Sequence, residues 1–277
     1  MTILVIGASG HVGGAVLAEL LKAGAAVRAT SRAPRPGQFP DGVEAVRADL
    51  ADPATWPDAL TGVRRVFLYA HPRTAQFAAA ARNAGAERVV LLSSNSVLFP
   101  DAESDPGARR HSAVEQALDD AGLDRTFVRP GYFATNTLLW ESIRTERVLR
   151  TAFPEATASP VHERDIAAVA ARALCDDAPH SAAYPVLGAG PVTVREQVAA
   201  IAEALGEPVR LEQVDIDTYR TELLTQLPEW VAERMLQDQG TVPQPPPALA
   251  TDAVPGLLGR PALTFAEWAR DHADDFR

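Results

Sequence analysis

The 277-residue sequence has a single cysteine, Cys175, and a single lysine, Lys22. One cysteine excludes an intrachain disulfide and argues against a cysteine-based metal site. Basic charge is left almost wholly to arginine, spread along the chain, and the net charge is −10. No basic cluster exists to track a phosphate backbone, so no nucleic-acid partner is expected. No apolar run reaches about eighteen residues. The opening MTILVIG lacks a basic n-region and runs straight into glycines. Neither a membrane span nor a signal peptide is expected, and the chain reads as cytoplasmic. His, Asp and Glu nowhere adopt metal-ligand spacing, and G-x-S-x-G is missing; neither a metal nor nucleophilic hydrolysis is expected.

The hydrophobic fraction, 47%, is ample for one large domain or for a domain with a smaller lobe. Up to about residue 130, short β-branched runs alternate with Ala- and Leu-rich helical stretches. Strands are predicted at 3–6, 26–30, 44–48, 65–69, 88–93 and 126–129, with helices at 12–23, 53–60, 73–84 and 112–121. Gly24, Gly62, Gly85 and Gly122 stand where each helix needs a left-handed stop. This rhythm predicts an α/β fold: a doubly wound parallel sheet with a smaller α+β C-terminal lobe. Residues 1–134 are read as the sheet domain, with a later strand near 184–187 added to its sheet, and 135–277 as the lobe. Thr193 with Glu196, and Thr264 with Glu267, are spaced as capping boxes. The stretch TVPQPPPALATDAVPG is too proline-rich for helix or strand and reads as a surface loop.

ILVIGASGHVGGAV is the most informative segment. Gly7, Gly10 and Gly13 form G-x-x-G-x-x-G between a buried strand and an apolar helix. Gly7 allows the sharp turn, Gly10 lets a diphosphate approach the backbone, and Gly13 lets helix and strand pack closely. Ser9, His11 and Val12 belong to the same turn. An NAD site would place Asp or Glu after the second strand. This chain reads VRATSRAP, with Ser31 and Arg32 there, a pair suited to a 2′-phosphate. NADP(H) is therefore expected in preference to NAD(H); a solvated loop arginine is the alternative. Asp49 and Leu50 are candidates for holding adenine, Asp49 also fitting a turn aspartate. Tyr69, Ala70 and His71 leave the fourth strand at the edge where cofactors lie.

Together VIGASGHVGGAV, TSR, ADL, LLSSNSV, HSAVEQALDDAGLDRTFVRPGYF and ERDIAAVAARAL resemble the NmrA-like family of atypical short-chain dehydrogenases. The likeness runs on through GAGPVTVREQVAAIAEALGEPVRLE and so covers most of the chain. It implies a Rossmann domain, a small C-terminal lobe and a small-molecule substrate held in the cleft between them. Similar members include NADPH-dependent quinone reductases, azo- and triphenylmethane-dye reductases and iminium reductases. The family also contains NADP-binding regulators that catalyse nothing, so a redox-sensing regulator stands as the alternative. A homodimer is compatible with a protein of this type.

Many nicotinamide enzymes of the wider class carry protons on a tyrosine and a lysine four residues apart. Here no Tyr-x-x-x-Lys exists; Gly107 and His111 occupy that spacing. His111 is expected to start a helix and to contact cofactor or substrate, with general acid as its tentative catalytic role. Without the tyrosine, an alkoxide product has no positioned acid. Quinones spread the incoming charge, and iminium carbons need no proton. A reductase of conjugated acceptors, quinone-, iminium- or dye-like, is the expected activity. Ser93, Pro130 and Gly131 are further cofactor candidates. Ser94, Tyr132, Phe133 and Trp140 are candidates for the acceptor pocket, the rings by offset stacking; a hydrophobic lobe interface explains them equally. HERD, residues 162–165, reads as a helix start with Asp165 as cap and solvated neighbours.

Overall fold

The computed structural model describes residues 1–177, 182–242 and 253–277. They form two compact units: Met1–Pro130 with Glu163–Val186 and Pro245–Arg260, and Gly131–His162 with Leu187–Gln244 and Pro261–Arg277.

In the first unit the strands are β1 (Thr2–Val5), β2 (Ala26–Ser31), β3 (Glu44–Arg47), β4 (Val63–Tyr69), β5 (Arg88–Leu92) and β6 (Asp124–Pro130). The helices between them are α1 (His11–Lys22), α2 (Trp56–Leu60), α3 (Thr74–Asn83) and α4 (Pro106–Asp120). With Ala182–Val186, a late strand that pairs with β6, they form a seven-stranded parallel sheet; β3, β2 and β1 lead into β4, β5 and β6. Chain direction across the sheet reverses between β1 and β4, so the carboxyl ends of these two strands open the crevice where such folds take ligands. Strand alternation sends Leu4, Ile6, Val66, Leu68, Val89 and Leu91 to one face. There they pack with Trp56 and Leu60 of α2, Phe77 and Ala81 of α3, and Val114 and Leu118 of α4. Trp56 meets Phe77 edge-on at 5.3 Å. On the opposite face α1 packs against a helix at Glu163–Cys175.

The glycine stops appear as expected, with φ of +73° at Gly24, +69° at Gly62, +97° at Gly85 and +67° at Gly122. One helix is longer than its sequence pattern. α4 begins at Pro106, where Asp105 accepts the Ala108 N–H at 2.7 Å and proline takes the first helical position. His111 therefore lies in the second turn rather than at the helix start.

The second unit contains α5 (Glu141–Glu146), β7 (Val148–Thr151), β8 (Thr157–Ala158) and, after α6 (Glu163–Cys175) and β9 (Ala182–Val186) of the sheet unit, β10 (Val192–Thr193), α7 (Val194–Leu205) and β11 (Arg210–Gln213). Then follow α8 (Ile216–Gln226), α9 (Glu229–Gln237) and, past α10 (Ala253–Leu258) of the sheet unit, α11 (Phe265–Asp271). β7 pairs parallel with β11, and β8 antiparallel with β10. Ile143, Leu149, Ile201, Leu205, Phe265 and Trp268 make this unit's core. Both capping boxes are formed, Thr193–Glu196 opening α7 and Thr264–Glu267 opening α11.

Two readings of the sequence need correction. The proline-rich stretch ends in a helix, α10, because Pro255 falls in its first turn, where no intrahelical N–H is needed. Residues 243–252 of that stretch lie outside the described residues. Of the residues before Asp165 only Arg164 is solvated: His162, Glu163 and Asp165 are all buried, and Asp165 pairs with Arg260 at 2.7 Å. His162, in the second unit, lies 3.3 Å from Asp271. The apolar pattern of α6 reveals its core face but not the carboxylate and imidazole that tertiary partners allow to be buried with it.

Candidate functional site

The first turn is built from backbone. Gly7 takes φ +74°, and Gly10 donates its N–H to the Gly7 carbonyl at 3.0 Å. The Thr30 hydroxyl accepts the Gly7 N–H at 3.3 Å and donates to the Val5 carbonyl, tying the turn to β2. A Cβ on Gly13 would lie 2.1 Å from the Gly7 oxygen. Gly10 is the N-cap of α1 in extended conformation, and no side chain caps the helix. Uncapped amides at the positive end of a helix form a seat for an anionic diphosphate. A Cβ on Gly10 would meet nothing closer than the Gly7 oxygen at 3.5 Å, so the protein leaves this approach clear. Ser9, Gly10 and His11 are exposed and Val12 half-buried. A hollow of about 550 Å³ adjoins the turn, lined among others by Ser9, Gly10, Leu17, Gln38 and Phe39.

The carboxyl ends of β2, β3 and β4 meet beside this turn. Arg32 is exposed, and its guanidinium has no ion-pair partner among the described residues; Ser31 is half-buried and accepts from Ala33 and Gln38. Tyr69 lies over the turn, its ring 3.2 Å from where a Gly7 Cβ would stand. Burial pushes the Tyr69 phenol above its ordinary value; Asp49 adds to this and Arg32 opposes it. The structure thus brings Gly7, Arg32, Asp49 and Tyr69 to one edge. The carboxylate of Asp49 accepts from Ala51 N–H at 2.8 Å, the turn role. Leu50 departs from expectation: at 1% exposure it is a core residue with almost no surface to offer an adenine ring. Ala70 is half-buried, and His71 accepts the Arg73 N–H on Nδ1 at 3.2 Å, which leaves its proton on Nε2.

A second cluster occupies the ends of β5 and β6. Ser93 donates to Glu115 Oε1 at 2.6 Å, and Arg129 holds the same carboxylate from Nε at 2.9 Å and from its terminal nitrogen. Ser93 and Glu115 are buried. His111, one turn before Glu115 on α4, buries its Nδ1 with no hydrogen-bond partner among the described residues. Burial and the neighbouring Arg110 hold its imidazole below the ordinary histidine range, Glu115 opposing. His111 is therefore neutral at pH 7. The sequence reading missed Glu115 and Arg129 as site residues. Their signal, a carboxylate four residues past a candidate histidine and an arginine just before Pro130, is too common to stand out.

Ser94 caps a 3-10 turn by accepting the Ser96 N–H at 3.1 Å. Pro130 is the buried last residue of β6 and pairs with Val186. In the second unit, Gly131 and Phe133 are half-buried, and Phe133 bridges to Val161. Trp140 packs against that unit's own core. The Tyr132 phenol is pushed up to about 12 by burial, with Tyr219 adding and a hydrogen bond to Asn136 opposing. Tyr219, which the sequence pattern did not mark, meets Phe153 edge-on at 5.9 Å.

A parallel sheet with a glycine turn at its switch point and an uncapped helix beyond it defines a dinucleotide-binding Rossmann protein. Residues 7–177 match the family model described as NAD(P)H-binding, and the chain belongs to that family. It is 40% identical over 280 residues, 99% of each chain, to (4-alkanoyl-5-oxo-2,5-dihydrofuran-3-yl)methyl phosphate reductase of Streptomyces griseus. It is 33% identical, again over 99% of each chain, to NAD(P)H azoreductase of Xenophilus azovorans. Among solved structures, triphenylmethane reductase of Citrobacter sp. superposes with a TM-score of 0.75 at 23% identity, covering 99% of each chain. The chain is an NAD(P)H-dependent reductase acting on a small molecule. Among the described residues no helix is long and apolar enough to cross a membrane, and no group of residues is suited to a metal.

Proposed function

We propose that this reductase delivers hydride from NADPH, in preference to NADH, to a flat acceptor whose double bond is conjugated with a carbonyl or an equivalent electron sink. The observation that carries the reading is the proton inventory. Gly107 and His111 stand where a tyrosine and a lysine would form a relay, and His111 is neutral. No group among these is an acid matched to neutral pH, so an acceptor that must gain a proton as hydride arrives is poorly served. Conjugation removes that need, because the incoming charge spreads onto an oxygen that water can protonate.

The substrate named for the Streptomyces griseus relative fits this demand. Its ring double bond is shared between a lactone carbonyl and an alkanoyl carbonyl, so hydride addition at the far carbon leaves a charge delocalised over two oxygens. The azo dye of the second relative is likewise an extended π system. These relatives are named as reductases, which supports catalysis over the sensor reading.

The bound cofactor supplies the hydride. Gly10 and the α1 amides seat the diphosphate, and Arg32 with Ser31 recognises the 2′-phosphate. Tyr69 covers the turn between them. His71, through Nε2, and neutral His111 offer hydrogen bonds to the cofactor's sugar or amide. Rate then comes from proximity and orientation. The test mixes purified protein and NADPH with quinones, azo dyes, cyclic imines and alkanoyl butenolides. NADPH oxidation with conjugated members is expected. Tight NADPH binding with no oxidation across the panel overturns the reading.

A further inference from the structure

The second cluster contains a buried carboxylate that the reduction chemistry does not use. Glu115 is 6% exposed and Ser93 3%. Three elements converge on the Glu115 side chain: the end of β5 through Ser93, the end of β6 through Arg129, and α4, which carries it. A lone buried carboxylate is costly, and here the guanidinium fork neutralises it. That leaves the hydroxyl as the informative partner. A serine is ordinarily both donor and acceptor. An ionised carboxylate only accepts, so the 2.6 Å contact commits the Ser93 proton to Glu115. What Ser93 retains is two lone pairs at the carboxyl edge of the sheet. His111 stands one turn away on the same helix, with a ring nitrogen buried and unmatched among the described residues.

We infer that Glu115 is a positioning residue: it makes Ser93 an obligate hydrogen-bond acceptor, which recognises a donor on the nicotinamide half of the cofactor, a carboxamide N–H or a ribose hydroxyl. Resting on the cofactor assignment above, this adds a division of labour. Arg32 and the glycine turn hold the adenosine diphosphate end, while the Glu115–Ser93 pair orients the reacting end. It also removes Ser93 as a proton donor to substrate, since its only proton is held by an anion. Arg129, by holding both oxygens of Glu115, fixes the arrangement.

The experiment compares two ligands by titration. NADPH carries the nicotinamide riboside; adenosine 2′,5′-bisphosphate lacks it. Ser93→Ala, which leaves the Glu115–Arg129 pair intact, is expected to weaken NADPH about tenfold, the loss of one well-placed hydrogen bond, and to leave the bisphosphate unchanged. Glu115→Gln should do the same, since its amide can donate to Ser93 and release the hydroxyl proton, and the double variant should lose little more than either single one. Equal losses for both ligands in Ser93→Ala make the cluster merely structural and overturn the inference, as does unchanged NADPH affinity. Should Glu115→Gln fail to fold, Ser93→Ala alone decides. If the unaltered protein binds neither ligand, the cofactor assignment has failed instead.

Discussion

A Cβ on Gly13 would stand 2.1 Å from the carbonyl oxygen of Gly7. The start of α1 is thus pressed onto the turn that precedes it, and only the absence of a side chain permits this. Gly13→Ala is expected to unfold the turn or displace the helix, costing about 2–4 kcal/mol as overpacking without room to relax. At Gly14 the nearest atom to an added Cβ is 3.4 Å away. Gly14→Ala should therefore keep or slightly raise the melting temperature, by the helix preference for alanine. Gly10→Ala is the informative third case: space exists in the protein, so stability should hold while cofactor affinity falls. Thermal unfolding with and without NADPH separates the three.

Arg32 carries the proposed choice between cofactors. Arg32→Ala should weaken NADPH by about tenfold or more, as expected for a lost charge-assisted contact, and leave NADH almost unchanged. Calorimetric titration of both nucleotides reads this directly. Equal losses for both would discard the 2′-phosphate assignment.

His111 links stability to pH. Its folded pKa lies below the unfolded value of about 6.5. The unfolded chain then binds more protons below that value, so the contribution is fully present above about pH 6.5 and is lost as pH falls through the window beneath it. Between pH 7 and 5 the unaltered protein should lose more melting temperature than His111→Gln. Reduction of a quinone should stay level from pH 7 to 8.5. A rate that falls with rising pH, through an inflection abolished by His111→Gln, would instead make His111 the acid.

Arg88 is a prediction about the scaffold. Its side chain is 5% exposed, and it pairs with Asp124 at 2.8 Å while donating to the Ala173 carbonyl at 3.0 Å near the end of α6. Arg88→Met would take the guanidinium from the Asp124 carboxylate and from the helix-end carbonyl together, at a cost of about 2–4 kcal/mol. Urea denaturation measures it, and cofactor affinity measured on the folded fraction should not change.

The sequence by itself determined the layered sheet and the glycine turn at its first crossover. Alternating periods of two and of 3.6, glycine stops after each helix and a glycine-spaced turn are local signals, written in neighbouring residues. It also determined the absence of a tyrosine–lysine relay, which is a matter of composition. Tertiary structure alone decided which charged residues are buried. Nothing local distinguishes Arg88 from the exposed Arg64, or buried Asp165 from a solvated cap, because burial of a charge depends on a partner that arrives from elsewhere in the chain. The same holds for Glu115: a mid-helix glutamate in sequence, it became the centre of a buried hydrogen-bonded cluster only when β5 and β6 brought Ser93 and Arg129 to it. Leu50 shows the reverse case, a residue adjacent to a plausible site that the fold turned into the core.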